Sequence, residues 1–74
     1  MKLETVQIPS LSINLPPKQF EVLHLLCQGL GNKEIGDRLG KAEGTIKVQV
    51  RALLERWEFT NRTQLVVAAI TGQL

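Results

Sequence analysis

Apolar residues along the chain fall into blocks with helical spacing, preceded by a stretch without it. Residues 1–15 hold short alternating runs, Leu3, Val6 and Ile8, then Leu11, Ile13 and Leu15, around Pro9 and Ser10. That pattern suits an extended arm or linker. Pro16-Pro17 punctuates the chain, and Pro17 fits the first turn of a helix, where its missing N–H costs nothing. Phe20, Leu23, Cys27 and Leu30 then keep helical spacing, Val22 and Leu26 widen the stripe, and Gly29 and Gly31 end it. Asn32 reads as the N-cap of a short second helix, Lys33 to Leu39. Ile35 and Leu39 would face inward, Gly36 permits close approach, and Gly40 closes the helix.

The next block is ambiguous at short range. Ile46-Lys47-Val48-Gln49-Val50 alternates like a strand. Length arbitrates: Ile46, Val50, Leu53 and Trp57, joined by Leu54, make one continuous helical stripe, so the spacing predicts a helix over about 43–57. Asn61-Arg62-Thr63-Gln64 is a capping-box variant with glutamine at the third helical position, and it opens a fourth helix to about Thr71. The expected fold is all-α, a four-helix bundle-like domain over 16–74 with a central helix-turn-helix.

Composition narrows the class. With 74 residues, 43% hydrophobic and 22% charged, the chain is globular material for one small core. A single cysteine forms no intrachain disulfide, and one His beside it supplies too few ligands for a structural zinc site, so no metal is expected. Nothing near the N-terminus reads as a signal peptide, and no stretch approaches a membrane span, so the expected location is cytoplasmic. His24 and Cys27 sit three apart, but Cys27 lies on the apolar stripe. No carboxylate pair, phosphate loop or triad accompanies it, so no catalytic residue, enzyme or cofactor is expected.

Charge is unevenly placed. Residues 1–40 are balanced, whereas Lys41, Lys47, Arg51 and Arg56 against Glu43 and Glu55 supply the whole net charge of +2. One reading is a solvated helix face. The other follows from the layout: two short helices joined by Gly40-Lys41-Ala42, the second longer and basic, form a helix-turn-helix whose second helix enters the DNA major groove. With the apolar stripe inward, that helix turns Gly44, Lys47, Val48, Arg51 and Glu55 outward. Lys47 and Arg51 suit guanine O6 and N7, and Val48 suits a thymine methyl, although single apolar residues are also common on surfaces.

Leu15-Pro-Pro17 with Glu21-Val-Leu23, Gly29-Leu-Gly-Asn-Lys-Glu-Ile35, Leu39-Gly40, Glu43-Gly-Thr-Ile-Lys-Val-Gln-Val50 and Asn61-Arg-Thr-Gln64 together resemble the LuxR/GerE-type DNA-binding domain. The resemblance covers about residues 15–72. It implies a bacterial transcription regulator, or the output domain of one such as a two-component response regulator. It also implies binding to double-stranded DNA through the third helix, commonly as a dimer, with RNA polymerase as a further partner. Carried over by position, base contacts fall on Lys47, Val48 and Arg51, and phosphate contacts on Asn32, Lys33, Thr45 and Gln49. Lys33 also reads as a solvated lysine and Thr45 as a cap. The chain departs from the family pattern at Pro16 and Ala42, where caps are usual, and at Lys41, Gln49, Trp57 and Glu58; Glu58 stands where a helix-ending glycine is common.

Leu65 to Ile70 are six consecutive apolar residues, more than one core-facing side requires. This predicts a weak homodimer on DNA through Val66, Val67 and Ile70, with Ala68 and Ala69 small enough to admit a second helix. The competing reading keeps the scaffold as a helical protein-interaction module that docks a partner through the last helix and the surface of Trp57 and Phe59.

Overall fold

In the computed structural model, which describes residues 15–74, the chain forms four helices: α1 (Pro17–Cys27), α2 (Asn32–Leu39), α3 (Glu43–Arg56) and α4 (Arg62–Ile70). No strand occurs among the described residues. The alternating segment 46–50 is helical, because a strand there would leave Leu53 and Leu54 without the core that the longer stripe reaches. Apart from Leu15, the expected arm over 1–15 lies outside the described residues.

The core is built from Val22, Leu23, Leu26 and Cys27 of α1, Ile35 of α2, Ile46, Val50 and Leu53 of α3, and Leu65 and Ala69 of α4. Burying such side chains stabilises by about 1.5–3 kcal/mol each. On α1 the buried face is centred on Val22 and Leu26 as much as on Leu23 and Cys27, while Phe20 and Leu30 are only partly covered. The shift arises because α1 packs against both α3 and α4 and needs a wide stripe. Leu39, expected inward, is half-buried, and Trp57 closes α3 as a half-buried residue just past its last turn. Among the described residues, no buried side-chain nitrogen or oxygen lacks a partner.

All four helices end the same way. The residue after the cap, or the cap itself in α2, turns left-handed, and the next N–H reaches back to the final turn. The bonds are Leu30 N to Leu25 O, Lys41 N to Gly36 O, Phe59 N to Leu54 O and Gln73 N to Ala68 O. The left-handed residue is glycine in three cases, Gly29, Gly40 and Gly72, and Glu58 at φ 57° in the fourth. Glu58 has a Cβ that disfavours this conformation by about 1–2 kcal/mol. Phe59 packs against the core edge, and its backbone bond to Leu54 O holds the turn in place.

Gly36 sets the spacing of the α2–α3 pair. A Cβ at Gly36 would stand 2.5 Å from the carbonyl oxygen of Lys41, inside the backbone of the turn. Only glycine lets α2 approach the start of α3 this closely.

Candidate nucleic-acid interface

The side of α3 opposite Ile46, Val50 and Leu53 carries Lys47, Val48 and Arg51, all exposed. Val48 is 69% accessible, the most exposed large apolar side chain among the described residues. Lys47 and Arg51 lie one turn apart, with Val48 offset between them around the helix. Neither cation is engaged by a hydrogen bond or ion pair among the described residues. A rigid helix thus presents two uncommitted long donors flanking a methyl-bearing surface, and its rigidity comes from the buried stripe behind. The geometry brings the three predicted base-contacting residues onto one face.

The predicted phosphate-contacting residues divide. Thr45 is exposed inside the first turn of α3, past the cap position, and no side chain caps this helix, so its hydroxyl is not the cap. Ala42 occupies the cap position and supplies no side-chain acceptor. The first turn of α3 therefore lacks a side-chain cap, and its first backbone N–H groups stay available to an anion, with the Glu43 carboxylate in the same turn. Lys33 is exposed in the first turn of α2 and stands 3.7 Å from Asp37, one turn on, both largely in water. Such a pair is weakly held. Gln49 is half-buried on the flank of α3, in a cleft of about 360 Å³ shared with Lys18, Glu21, Arg38, Leu39 and Lys41. That cleft gathers three cations, Lys18, Arg38 and Lys41, around the one carboxylate of Glu21.

Asn32 corrects an expectation. It is the first residue of α2, and Gly31 precedes it as the cap. The Gly31 N–H donates to Glu34 Oε1 at 3.0 Å, which closes the helix start from the acidic side. The Asn32 side chain is engaged elsewhere: Arg62 Nη1 donates to its Oδ1 at 3.3 Å, and Arg62 Nη2 donates to Leu30 O at 2.5 Å. The Arg62 contact was not anticipated, yet the sequence held a signal. A cation in the first turn of a helix opposes the macrodipole, so an arginine there needs another partner.

On α4 the run of apolar residues is divided by packing. Leu65, Ala68 and Ala69 are buried and Val66 is half-buried against the core, which leaves Val67 at 53% and Ile70 at 41% accessible. With Ala68 and Ala69 facing inward, they do not admit a second helix, and Val66 contributes mainly to its own core. The expected aromatic docking surface is likewise reduced, since Trp57 and Phe59 pack on the core edge. Trp57 in addition lies under the guanidinium of Arg56, 5.4 Å from the ring centre. Cys27 is buried, and burial pushes its thiol above the ordinary range, which disfavours the reactive thiolate. No helix among the described residues is long and apolar enough to cross a membrane.

The family model described as bacterial regulatory proteins, luxR family (GerE), matches residues 13–69. Among similar proteins, the putative HTH-type transcriptional regulator YhjB of Escherichia coli K12 is 43% identical over 51 residues, which are 69% of this chain and 26% of that protein. The nitrate/nitrite response regulator protein NarL of the same strain is 38% identical over 53 residues, 72% of this chain and 24% of NarL. The transcriptional regulatory protein LnrK of Bacillus subtilis 168 is 31% identical over 68 residues, 92% of this chain and 31% of LnrK. The chain thus spans about a quarter to a third of the length of these curated relatives. No solved structure gives a significant match. Four helices with a tight α2–α3 turn, a basic outward face on α3 and a match over most of the length agree: the chain belongs to the luxR (GerE) family of bacterial DNA-binding transcription regulators.

Proposed function

We propose that residues 16–74 form a DNA-reading domain, with 1–15 as an arm, and that α3 lies in the major groove of double-stranded DNA. Lys47 and Arg51 donate to guanine O6 and N7, and Val48 covers a thymine methyl. Asn32, Lys33, Thr45 and Gln49 hold phosphates and fix the register without reading sequence. The observation that carries this reading is the face of α3 itself: Val48 is 69% accessible between two uncommitted cations, on a helix whose other side is locked in the core.

The domain acts by binding, without catalysis or cofactor, in the cytoplasm, as a transcription regulator or the output domain of a longer one such as a response regulator. RNA polymerase is a further partner of that longer regulator. Two copies meet on DNA through Val67 and Ile70, with Val66 at the edge of the contact; the support is the pair of accessible apolar side chains one turn apart on α4. Measuring affinity against salt on duplexes selected from a random pool tests the central reading. A selected site should be preferred over random duplex, and the logarithm of the affinity should fall linearly with the logarithm of salt. An affinity that ignores salt would refute it.

A further inference from the structure

Arg62 joins the start of α4 to the start of α2 across thirty positions of sequence. Its two bonds end on Leu30 O, in the turn between α1 and α2, and on Asn32 Oδ1, the opening residue of α2. A guanidinium carries only donors. The Asn32 amide can therefore satisfy Arg62 in one orientation alone, with its oxygen turned to the guanidinium and its NH2 group turned away. At the start of α2, where Gly31 is the cap, Glu34 closes the acidic side and Lys33 is next in sequence, that NH2 group adds a side-chain donor for an anion. Of the carboxylates nearby, Glu34 accepts from Gly31 N and Asp37 faces Lys33 in a loose surface pair.

We propose that Arg62 is a positioning residue that makes Asn32 an obligate hydrogen-bond donor to a DNA phosphate. The inference rests on the DNA-binding reading above and adds a residue outside the helix-turn-helix to it. It also gives the misplaced cation of α4 its function. Arg62 fixes the amide that the phosphate meets, and it ties the helix that carries Val67 and Ile70 to the helix that meets the backbone.

Asn32→Asp separates this role from a purely structural one. The new carboxylate keeps both the acceptor for Arg62 and a favourable charge at the helix start, so the variant should melt no lower than the parent. It has no NH2 group and repels phosphate, so its affinity for duplex DNA should fall by about tenfold or more, beyond the roughly three- to fivefold loss expected for Asn32→Ala. The second arm uses Arg62→Lys, which keeps the charge but frees the amide to rotate. Its loss of affinity should match that of Asn32→Ala, and combining the two should add little. Circular dichroism on each variant confirms that it is folded. Asn32→Asp binding as well as the parent, or losses from Arg62→Lys and Asn32→Ala that add in full, would overturn the assignment. A parent chain that binds no duplex at all would overturn the DNA-binding reading itself and this inference with it.

Discussion

The starts of α3 and α4 are built in opposite ways. At α4, Asn61 Oδ1 accepts from Gln64 N at 3.0 Å, and Gln64 Oε1 accepts from Thr60 N at 2.7 Å. Arg62 then ties the same turn to the α1–α2 loop. At α3 the cap is Ala42, no side chain closes the end, and the segment from Lys41 to Thr45 is exposed throughout. The start of α4 is closed by Asn61 and Gln64 on its own backbone and by Arg62 on the α1–α2 loop. The start of α3 has no side-chain cap and relies on packing for its position. Lacking a cap worth about 1 kcal/mol is tolerable only because Ile46 is buried directly behind the first turn and Gly36 lets α2 hold the preceding loop.

If the start of α3 is held by packing, Gly36→Ala should be the most damaging small change. Its methyl group would meet the Lys41 carbonyl, forcing the turn outward at a cost of about 1–3 kcal/mol. Urea unfolding checks the loss, and DNA affinity measured under folding conditions should fall as well because α3 moves. If the start of α4 is held by its cap, Asn61→Ala should cost about 1 kcal/mol in the same assay and leave α3 untouched. Folded Asn61→Ala protein should then bind DNA as the parent does. The sharpest contrast comes from Ala42→Asp, which supplies the missing cap. It should stabilise by about 0.5–1 kcal/mol while weakening binding to every duplex, since the carboxylate occupies the N–H groups and repels phosphate. An Ala42→Asp protein both more stable and equally tight on DNA would show that the uncapped end has no part in binding.

How much of this was legible in the sequence depended on the range of the interaction. Gly36 and the Asn61 cap were readable because each depends on a neighbour within a few residues, whereas the left-handed turn at Glu58 was signalled only by the resemblance, which has a glycine there. The outward set Lys47, Val48 and Arg51 was readable too, because a continuous buried stripe fixes its opposite face. Asn32 was misread as a cap because its partner, Arg62, lies thirty positions on, and a local rule cannot register that competition. The α4 run failed for a related reason. Six consecutive apolar residues surround a helix, so only docking decides that Ala68 and Ala69 go inward while Val67 and Ile70 stay out. Even Gln64 followed the rule only in part, accepting from Thr60 N where a regular capping box would use the N–H of Asn61 itself.

The central claim is that α3 reads bases, and Arg51 tests it most directly. Affinities of the parent and of Arg51→Ala should be compared on a selected site, on variants of that site changed one base pair at a time, and on random duplex at fixed salt. A base-reading arginine predicts a loss of about 1–3 kcal/mol on the selected site, little loss on random duplex, and relaxed preference at one base-pair position. Equal losses on selected and random duplexes, with every base preference intact, would show that Arg51 touches only phosphate and would contradict the account.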